Sequence, residues 1–422
     1  MASMFRLNER SFILCFIFCG LPFFDMMTGF LVVKGTIAEG SLASPSQVGR
    51  AVAGILLLYA ASKNRMGTSW LFIFLWMIIV ELQAGLRFGQ SFGVIFGFAT
   101  VYKLTYFWLL FTVLAYYAKQ NIHDLGKFLK YNLIFISCSI IFSAITGVGN
   151  PTYGWGFGTK GFFASGNGLG LYLGIGGLIL LLLQHYRMYL NVSLTTYILI
   201  ILGTLLIGSK TALLLSLLLL VGRLWLSSRR VLSFLFVGGL LIWFSPQILH
   251  ISMLMFDVIV LRYQNSDSIL EYLASSRIDY ISNAFEIYYS KDIDLIRWFI
   301  GAGSYVSFQD PNAVLQYDTL ESDVFDIFFM YGLAGVVAYC LVFAYGAIIL
   351  KQHIYFLLTW GLLFMHSLFA GHVIFNGMSI TILAFLLAIG VSIRQGRKNR
   401  VPYSRAKSGS TKNDAFILAS MK

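Results

Sequence analysis

The chain has 422 residues, of which 58% are hydrophobic and 11% are charged, and its formal net charge is +12 at pH 7. At this composition there are too few polar side chains to cover the core of a soluble globule. Length and composition therefore exclude a soluble protein and predict an integral membrane protein that crosses a bilayer many times.

Long apolar runs without strict alternation predict transmembrane helices rather than the strands of a membrane barrel. In chain order they predict spans near residues 11–33, 48–62, 68–86, 92–118, 131–148, 168–183, 194–208, 211–226, 231–245, 324–350, 354–371 and 378–393. We therefore expect an all-α polytopic integral membrane protein with about twelve transmembrane helices and one large outer loop.

The distribution of basic residues predicts the orientation, because cytoplasmic loops of membrane proteins carry an excess of Lys and Arg. With the N-terminus inside, twenty of the thirty Lys and Arg residues lie on the cytoplasmic side. This favours a multi-pass membrane protein with both termini in the cytoplasm and the long loop outside, in the periplasm if the cell has one. The chain then divides into an N-terminal bundle of about nine helices (1–245), a large periplasmic loop with an amphipathic helix (246–320), C-terminal transmembrane helices (321–393) and a basic cytoplasmic tail (394–422). The tail suits anionic lipid better than nucleic acid, and we expect no nucleic-acid partner.

The acidic residues are concentrated late in the chain. Eleven of the eighteen lie between Asp257 and Asp323. Because membrane spans normally exclude charge, this concentration predicts a loop in water, and we place the chemistry there. Within this loop the apolar residues of 275–289 recur at helical spacing, which predicts an amphipathic helix lying over the bundle.

Several basic residues map to the outer ends of spans or to the outer loops: Lys34, Arg50, Arg87, Lys160, Lys210, Arg262 and Arg277. Such residues either bind an anionic ligand or merely extend to lipid headgroups. Lys210 favours the first reading, since residues 208–211 form a tight turn between two apolar helices with Ser209 suited to capping the second. Helix N-termini attract phosphate, and a neighbouring cation strengthens the site.

The glycine-rich stretch 159–174 resembles a nucleotide-binding loop, but that fingerprint requires a preceding strand, and apolar helices flank this stretch. We expect instead a loop that reaches a helix start at Asn167, with Gly170 and Gly174 allowing close helix packing. His372 is expected at the outer surface between the last two helices. The six-residue separation of His366 and His372 does not place both on one helix face, and we predict no metal site and no cofactor.

Taken together, these motifs resemble one family. Lys160-Gly-Phe-Phe with Asn167, then residues 208–212, Ser276-Arg277, Gly301-Ala-Gly303, and Glu321-Ser-Asp323 followed by Gly332 and Gly335 occur in an order that resembles the O-antigen polymerase and O-antigen ligase superfamily. The resemblance covers roughly residues 159–335. It implies a metal-independent membrane glycosyltransferase that uses sugar chains on undecaprenyl pyrophosphate as donors.

The resemblance also implies roles for particular residues. Glu321, or as second choice Asp323, would accept the proton of the attacking hydroxyl, and Arg277 would stabilise the leaving group. The further candidates for binding pyrophosphate or glycan are Lys210, Arg50, Arg87, Lys160, Asn167 and His372. Expected partners are undecaprenyl-pyrophosphate-linked oligosaccharides and membrane lipids, with a chain-length regulator and a flippase as further candidates.

Two departures from the family pattern affect the predicted function. Ligases carry a His at the position of Glu321, which favours a polymerase over a ligase. Many relatives have Arg where this chain has Lys210, and an ammonium lacks the forked donor geometry of a guanidinium. The alternatives are an O-antigen ligase and a polysaccharide or anion transporter, although no internal repeat of the kind common in transporters is visible.

Overall fold

The protein is described here from a computed structural model. It describes residues 8–38, 41, 43–67, 69–89, 91–153, 158–189, 191–227, 238–239, 277–289, 295–310 and 319–398. The predicted span at 231–245, much of the predicted loop at 246–320 and the tail beyond 398 lie outside the described residues.

The described part of the chain is helical and contains no β-strand, which confirms the predicted all-α class. The helices are α1 (Glu9–Cys15), a π-helical turn (Phe16–Gly20), α2 (Leu21–Val33), α3 (Pro45–Lys63), α4 (Ser69–Phe88), α5 (Ser91–Thr146), α6 (Gly166–His185), α7 (Leu194–Ile207), α8 (Lys210–Trp225), α9 (Arg277–Tyr289), α10 (Leu295–Ile300), α11 (Gly303–Val306), α12 (Asp323–Leu350), α13 (Ile354–Phe369) and α14 (Gly377–Lys398).

Among the described residues, six helical stretches are long and apolar enough to cross a membrane: Glu9–Val33, Leu71–Phe88, Gly93–Thr146, Gly166–His185, Asp323–Leu350 and Gly377–Gln395. Two shorter apolar helices, Leu194–Ile207 and Ile354–Phe369, fall below the roughly 20 residues that a bilayer requires. The membrane character is thus supported, while the count of about twelve spans is not reached in the described chain. The prediction counted every apolar run as a crossing and did not weigh helix length.

Helix α5 contains a break that allows it to fit a bilayer. Its 56 residues would form a straight helix about 84 Å long, far longer than the hydrocarbon core is thick. Asn121 interrupts it with φ −159° and ψ 97°, and its Oδ1 accepts a hydrogen bond from the His123 amide at 3.1 Å. The break divides α5 into two helices, and it falls within the connection that the sequence predicts between residues 118 and 131.

Helix α6 lies at the centre of the bundle. Nearly all of its residues are buried, in contrast to the lipid-facing helices around it. A Cβ added to Gly170 would lie 2.8 Å from the Cβ of Ala212, and one added to Gly174 would lie 2.4 Å from the Cβ of Leu215. These glycines therefore let α6 approach α8 closely, as the sequence predicts.

Helix α9 confirms the predicted amphipathic segment. It buries Ala284 and Tyr288 in an aromatic cluster with Phe308 and Phe329, while Tyr280 on its other face is exposed. The cluster attaches α9 to α12. Helix α9 thereby brings its first residue, Arg277, close to the start of α12.

Short helix α10 packs directly onto the backbone of α12. A Cβ added to Gly332 would lie 2.5 Å from the carbonyl carbon of Phe299, and one added to Gly301 would lie 2.2 Å from the carbonyl oxygen of Met330. Gly332 also has φ +64°, which breaks the regular helix at that residue. Both glycines are thus required by close backbone contact and by left-handed geometry.

Replacing Gly332 by Ala should destabilise the protein. The added methyl group meets backbone atoms, and a backbone at φ +64° and ψ −162° lies in a region that essentially only glycine adopts, at a cost on the order of 1–3 kcal/mol for another residue. We expect a clear drop in the thermal unfolding temperature of the purified protein in detergent. Gly361→Ala in α13 is the control, because a Cβ at Gly361 meets nothing within 4 Å. Equal unfolding temperatures for the two variants would contradict the close packing of α10 on α12.

Candidate functional site

A cavity of about 900 Å³ lies within the described bundle. Its charged and strongly polar lining comes from many separate elements: Asp25, Gln47, Arg50, Lys103, Lys160, Asn167, Lys210, Arg277, Glu321, His366, His372 and Asn376. Five Lys or Arg side chains face two carboxylates, which leaves three positive charges in excess when the histidines are neutral. The cavity is therefore suited to an anion.

Arg277 and Glu321 form an ion pair in the cavity. The Nη2 atom of Arg277, the first residue of α9, lies 2.6 Å from Oε2 of Glu321, two residues before α12. The side chain of Arg277 is 12% exposed and that of Glu321 is 46% exposed. The pair connects α9 to the segment before α12 and leaves the carboxylate open to the cavity.

His372 approaches the same carboxylate from the loop between α13 and α14. Its Nε2 atom lies 3.7 Å from Oε1 of Glu321. The contact with His372 and the charge of Arg277 outweigh burial and lower the pKa of Glu321 to about 2. Burial opposes protonation of His372, but the contact with Glu321 outweighs it and raises the pKa of His372 above its usual value. Each of the two groups therefore favours the charged form of the other.

Glu321 and His372 share an unusual backbone conformation. Their φ angles are +54° and +60°, in the left-handed region that non-glycine residues rarely adopt. A Cβ added to the adjacent Gly371, which also has positive φ, would lie 2.5 Å from the carbonyl carbon of Glu321. Backbone contact between the two segments thus holds both side chains toward one point, and such strained residues cluster at functional sites.

Arg50 and Asp25 form a second ion pair. Nη2 of Arg50 on α3 lies 2.8 Å from Oδ1 of Asp25 on α2, and Nη1 donates to Oγ of Ser46 at 2.8 Å. The guanidinium also lies over Gly377, where a Cβ would meet its Nε at 2.1 Å. Arg50 is therefore fixed at the start of α14. It lines the cavity from α3, whereas Arg277 lines it from α9.

Lys160 and Lys210 line the cavity from the polar loop before α6 and from the start of α8. Lys210 follows Gly208, which has φ +74°, and Ser209, whose Oγ accepts a hydrogen bond from the Ala212 amide at 3.2 Å. This confirms the predicted tight turn and cap. Nζ of Lys160 donates to the carbonyl oxygen of Ala164 at 2.9 Å. Asn167 lines the cavity within the first turn of α6.

Helix N-termini add to the positive potential of the cavity. The first residues of α6, α8, α9 and α14 are all part of its lining: Gly166, Lys210, Arg277 and Gly377. The N-terminus of each helix carries a partial positive charge. Four helix starts and five basic side chains therefore act on the same volume, which favours a multiply charged anion such as a phosphate ester.

The structure brings together seven of the nine residues that the sequence marks as site candidates: Arg50, Lys160, Asn167, Lys210, Arg277, Glu321 and His372. Arg87 and Asp323 are not part of this lining. Arg87 is exposed at the end of α4 with its guanidinium 5.2 Å from the centre of the Phe88 ring, because the helix carries it to another surface. Asp323 is 0% exposed and lies behind the cavity wall, where it accepts backbone hydrogen bonds.

Sequence reasoning did not assign Lys103 and Asp25 to the site. Both lie in apolar runs, Lys103 on α5 and Asp25 on α2, and both line the cavity. An ionisable residue inside a membrane span is a functional candidate by default, and this signal was available for Lys103. For Asp25, the pairing with Arg50 could not be read from positions 25 residues apart.

Comparison of the chain with protein-family models and with curated proteins finds no match in either. The resemblance to the O-antigen polymerase and ligase superfamily therefore stays a proposal.

Replacing Glu321 by Gln should lower the pKa of His372. The substitution removes the charge that raises the pKa and keeps the burial that opposes protonation. Because the pair needs an ionised Glu321 and a protonated His372, its stabilising effect is present above the usual carboxyl pKa of 4.5 and is lost as the pH rises through the pKa of His372. Histidine ring NMR of the purified protein, with the His372→Gln spectrum for assignment, measures this. An unchanged His372 titration in Glu321→Gln would contradict the pairing.

Proposed function

We propose that this protein is a polysaccharide repeat-unit polymerase. It would join oligosaccharides carried on undecaprenyl pyrophosphate by glycosyl transfer at the periplasmic face of a bacterial inner membrane, with both of its termini in the cytoplasm. The observation that carries the proposal is the cationic cavity, in which Arg277 and Glu321 lie side by side. It supplies what such a reaction needs, namely cations for a pyrophosphate and a carboxylate for a hydroxyl.

A second feature of the cavity fits a lipid-linked substrate. Part of its lining is apolar and comes from Leu214 on α8 and from Met365 and Phe369 on α13. These residues are about half exposed, at 52%, 51% and 53%, so they can contact an apolar ligand. An apolar passage from the cavity to the bilayer would let a prenyl chain stay in lipid while its headgroup binds inside.

In the proposed reaction a hydroxyl oxygen of the incoming repeat unit attacks the anomeric carbon of the growing chain. The bond from that carbon to the pyrophosphate oxygen breaks, and the electron pair leaves with undecaprenyl pyrophosphate. Arg277, Lys210, Lys160 and Arg50 would stabilise the charge on the leaving group, and preorganised cations are effective in such a site. Glu321 would accept the hydroxyl proton.

The low pKa of Glu321 fits this role only when the donor is bound. His372 and Arg277 hold the carboxylate ionised, which makes it a weak base. A bound pyrophosphate would compete with Glu321 for Arg277, since a guanidinium binds phosphate oxygens in pairs. Loss of the Arg277 contact would raise the basicity of Glu321 when the acceptor hydroxyl needs it.

An O-antigen ligase is the second candidate, and His372 favours it. The family resemblance implies a His for ligases at the position of Glu321, and here a His from a different segment lies 3.7 Å from that carboxylate. A His beside the reacting hydroxyl could serve as the base in its place. Polymerase and ligase would share the donor, so the acceptor distinguishes them.

The first test replaces the paired residues. Glu321→Gln keeps the shape of the side chain and removes the base, and loss of a general base typically slows a reaction by about a hundred- to ten-thousand-fold. Arg277→Lys should be nearly as damaging as Arg277→Ala, because an ammonium cannot make the paired contacts of a guanidinium. We expect the polysaccharide ladder on a gel to collapse for all three variants in a deletion strain.

Asp279→Asn is the matched control for these variants. Asp279 is an exposed acidic residue on the same helix as Arg277 and is not part of the cavity lining. We expect a normal ladder from it at equal membrane levels of protein. Normal ladders from Glu321→Gln and Arg277→Ala as well would contradict the proposed site.

The second test separates the two candidates through the product that accumulates. Deletion of the gene should leave lipid A cores that carry a single repeat unit, because an intact ligase still transfers unpolymerised units. If the protein is the ligase, long chains should instead accumulate on the carrier lipid, with no sugar chain attached to the core. Thin-layer analysis of the lipid fraction beside the gel distinguishes these outcomes.

A further inference from the structure

We propose that Asp323 and Asp326, two buried acidic residues in the first turn of α12, are positioning residues that hold Glu321 and His372 face to face. The proposal rests on the proposed function for its effect on activity, while the positioning itself is a property of the structure alone. Both side chains are buried, at 0% and 3% exposure, and neither is part of the cavity lining. They act on the cavity through the backbone of the residues beside it.

Asp323 fixes the segment that carries His372. Its Oδ2 atom accepts hydrogen bonds from the amide of Val373 at 3.0 Å and from the amide of Ile374 at 3.2 Å. These two residues follow His372 directly. The hydroxyl of Ser367, on the α13 side of the same loop, donates to the same oxygen at 2.6 Å. One carboxylate oxygen thus holds the loop on both sides of His372.

Asp326 fixes the segment that carries Glu321. Its Oδ1 atom accepts a hydrogen bond from the amide of Leu320, the residue before Glu321, at 2.8 Å. On the other side, the carbonyl oxygen of Ser322 accepts from the amides of Phe325 and Asp326 at 3.1 and 2.9 Å. The first turn of α12 therefore holds the chain immediately before and immediately after Glu321.

This bracing explains how two strained residues persist opposite each other. Left-handed backbone at a non-glycine residue persists only where the surroundings impose it. Glu321 and His372 both have it, and the hydroxyl of Ser322 donates to the carbonyl oxygen of Leu368 at 2.8 Å, which is a further link between the two segments. Both segments are thus attached to one helical turn, and their separation is set by two side chains on that turn.

The alternative is that Asp323 is itself the base that accepts the proton, which was the second choice on sequence grounds. Its position does not suit that role, because the side chain is 0% exposed and is not part of the cavity lining. A base needs its charge, whereas a positioning residue needs its hydrogen-bond acceptor. The two roles therefore predict different results when the carboxylate is replaced by a carboxamide.

The experiment compares Asp323→Asn with Asp323→Leu in the full-length protein. Both substitutions remove the charge, and the Asn carbonyl oxygen can still accept the amide hydrogen bonds. We expect the histidine ring NMR titration to place the pKa of His372 about one unit higher in Asp323→Asn than in Asp323→Leu, a tenfold difference in its protonation equilibrium. Among the described residues, the titratable groups that act on His372 are Glu321, Asp323, Asp326 and His366. Residue 323 is neutral in both variants, and the other three groups are the same in both.

Activity should follow the same order. A displacement of a reacting group by about 1 Å can cost about a hundredfold in rate, and we expect a loss of that size for Asp323→Leu. Asp323→Asn should keep a ladder that is clearly longer. Ser367→Ala is the second variant if Asp323→Leu does not fold, since it removes one of the three donors and should lower the pKa of His372 in part.

Two results would overturn the proposal. One is an identical His372 titration in Asp323→Asn and Asp323→Leu, or no change in a folded Ser367→Ala, because the acceptor then does not position the loop. The other is complete loss of activity in Asp323→Asn with an unchanged His372 titration, which would make Asp323 the base. Normal ladders from Arg277→Ala and Glu321→Gln would overturn the proposed function and leave the titration result standing.

Discussion

The pairing of carboxylates with arginines inside an apolar bundle is the constraint on which the cavity depends. A charge removed from water is costly unless it is paired and hydrogen-bonded. Asp25 meets Arg50 at 2.8 Å and joins the consecutive helices α2 and α3, and Glu321 meets Arg277 at 2.6 Å and joins α9 to the segment before α12. The same contacts that reduce the cost of the charges therefore fix the walls of the cavity.

These pairs leave the cavity positive. Lys103, Lys160 and Lys210 add cations beyond the two arginines, and four helices begin at the lining. A large excess of like charge destabilises a compact state through repulsion. A polyanionic ligand would relieve that repulsion. We infer that the clustering of cations that disfavours the compact state is also what favours the binding of an anion.

Much of the fold followed from the sequence, because hydrophobic runs and helix signals are local. The turn at Lys210, the close packing at Gly170 and the amphipathic helix α9 were all predicted from neighbouring residues and are confirmed. The predicted number of spans is not confirmed, because an apolar run in the sequence does not show how far its helix extends across a bilayer.

The candidate site was predictable in its members but not in its contacts. Basic residues at span ends identified four of the five cavity lysines and arginines together with Arg87, whose position at the end of a helix does not reveal that it faces another surface. The contact of Arg277 with Glu321 joins residues 44 positions apart, which no local sequence pattern predicts. The left-handed conformations of Glu321 and His372 had no sequence signal at all, because glycine is the usual mark of that conformation and neither residue is glycine.

The carboxylates in and around the cavity fall into two kinds. The first kind has partners that a ligand can replace, and the second kind supports the backbone. Asp25 and Glu321 rely on guanidinium groups, for which an anionic ligand can compete. Asp323, Asp326 and Glu81 rely on backbone amides and hydroxyl groups, including the amide of Ser304 for Glu81 at 3.1 Å. These donors are enclosed by the fold, and at the N-terminus of α12 they are reinforced by the helix dipole, which favours negative charge there. A ligand entering the cavity can therefore exchange the partners of the first kind while the second kind keeps the backbone in place.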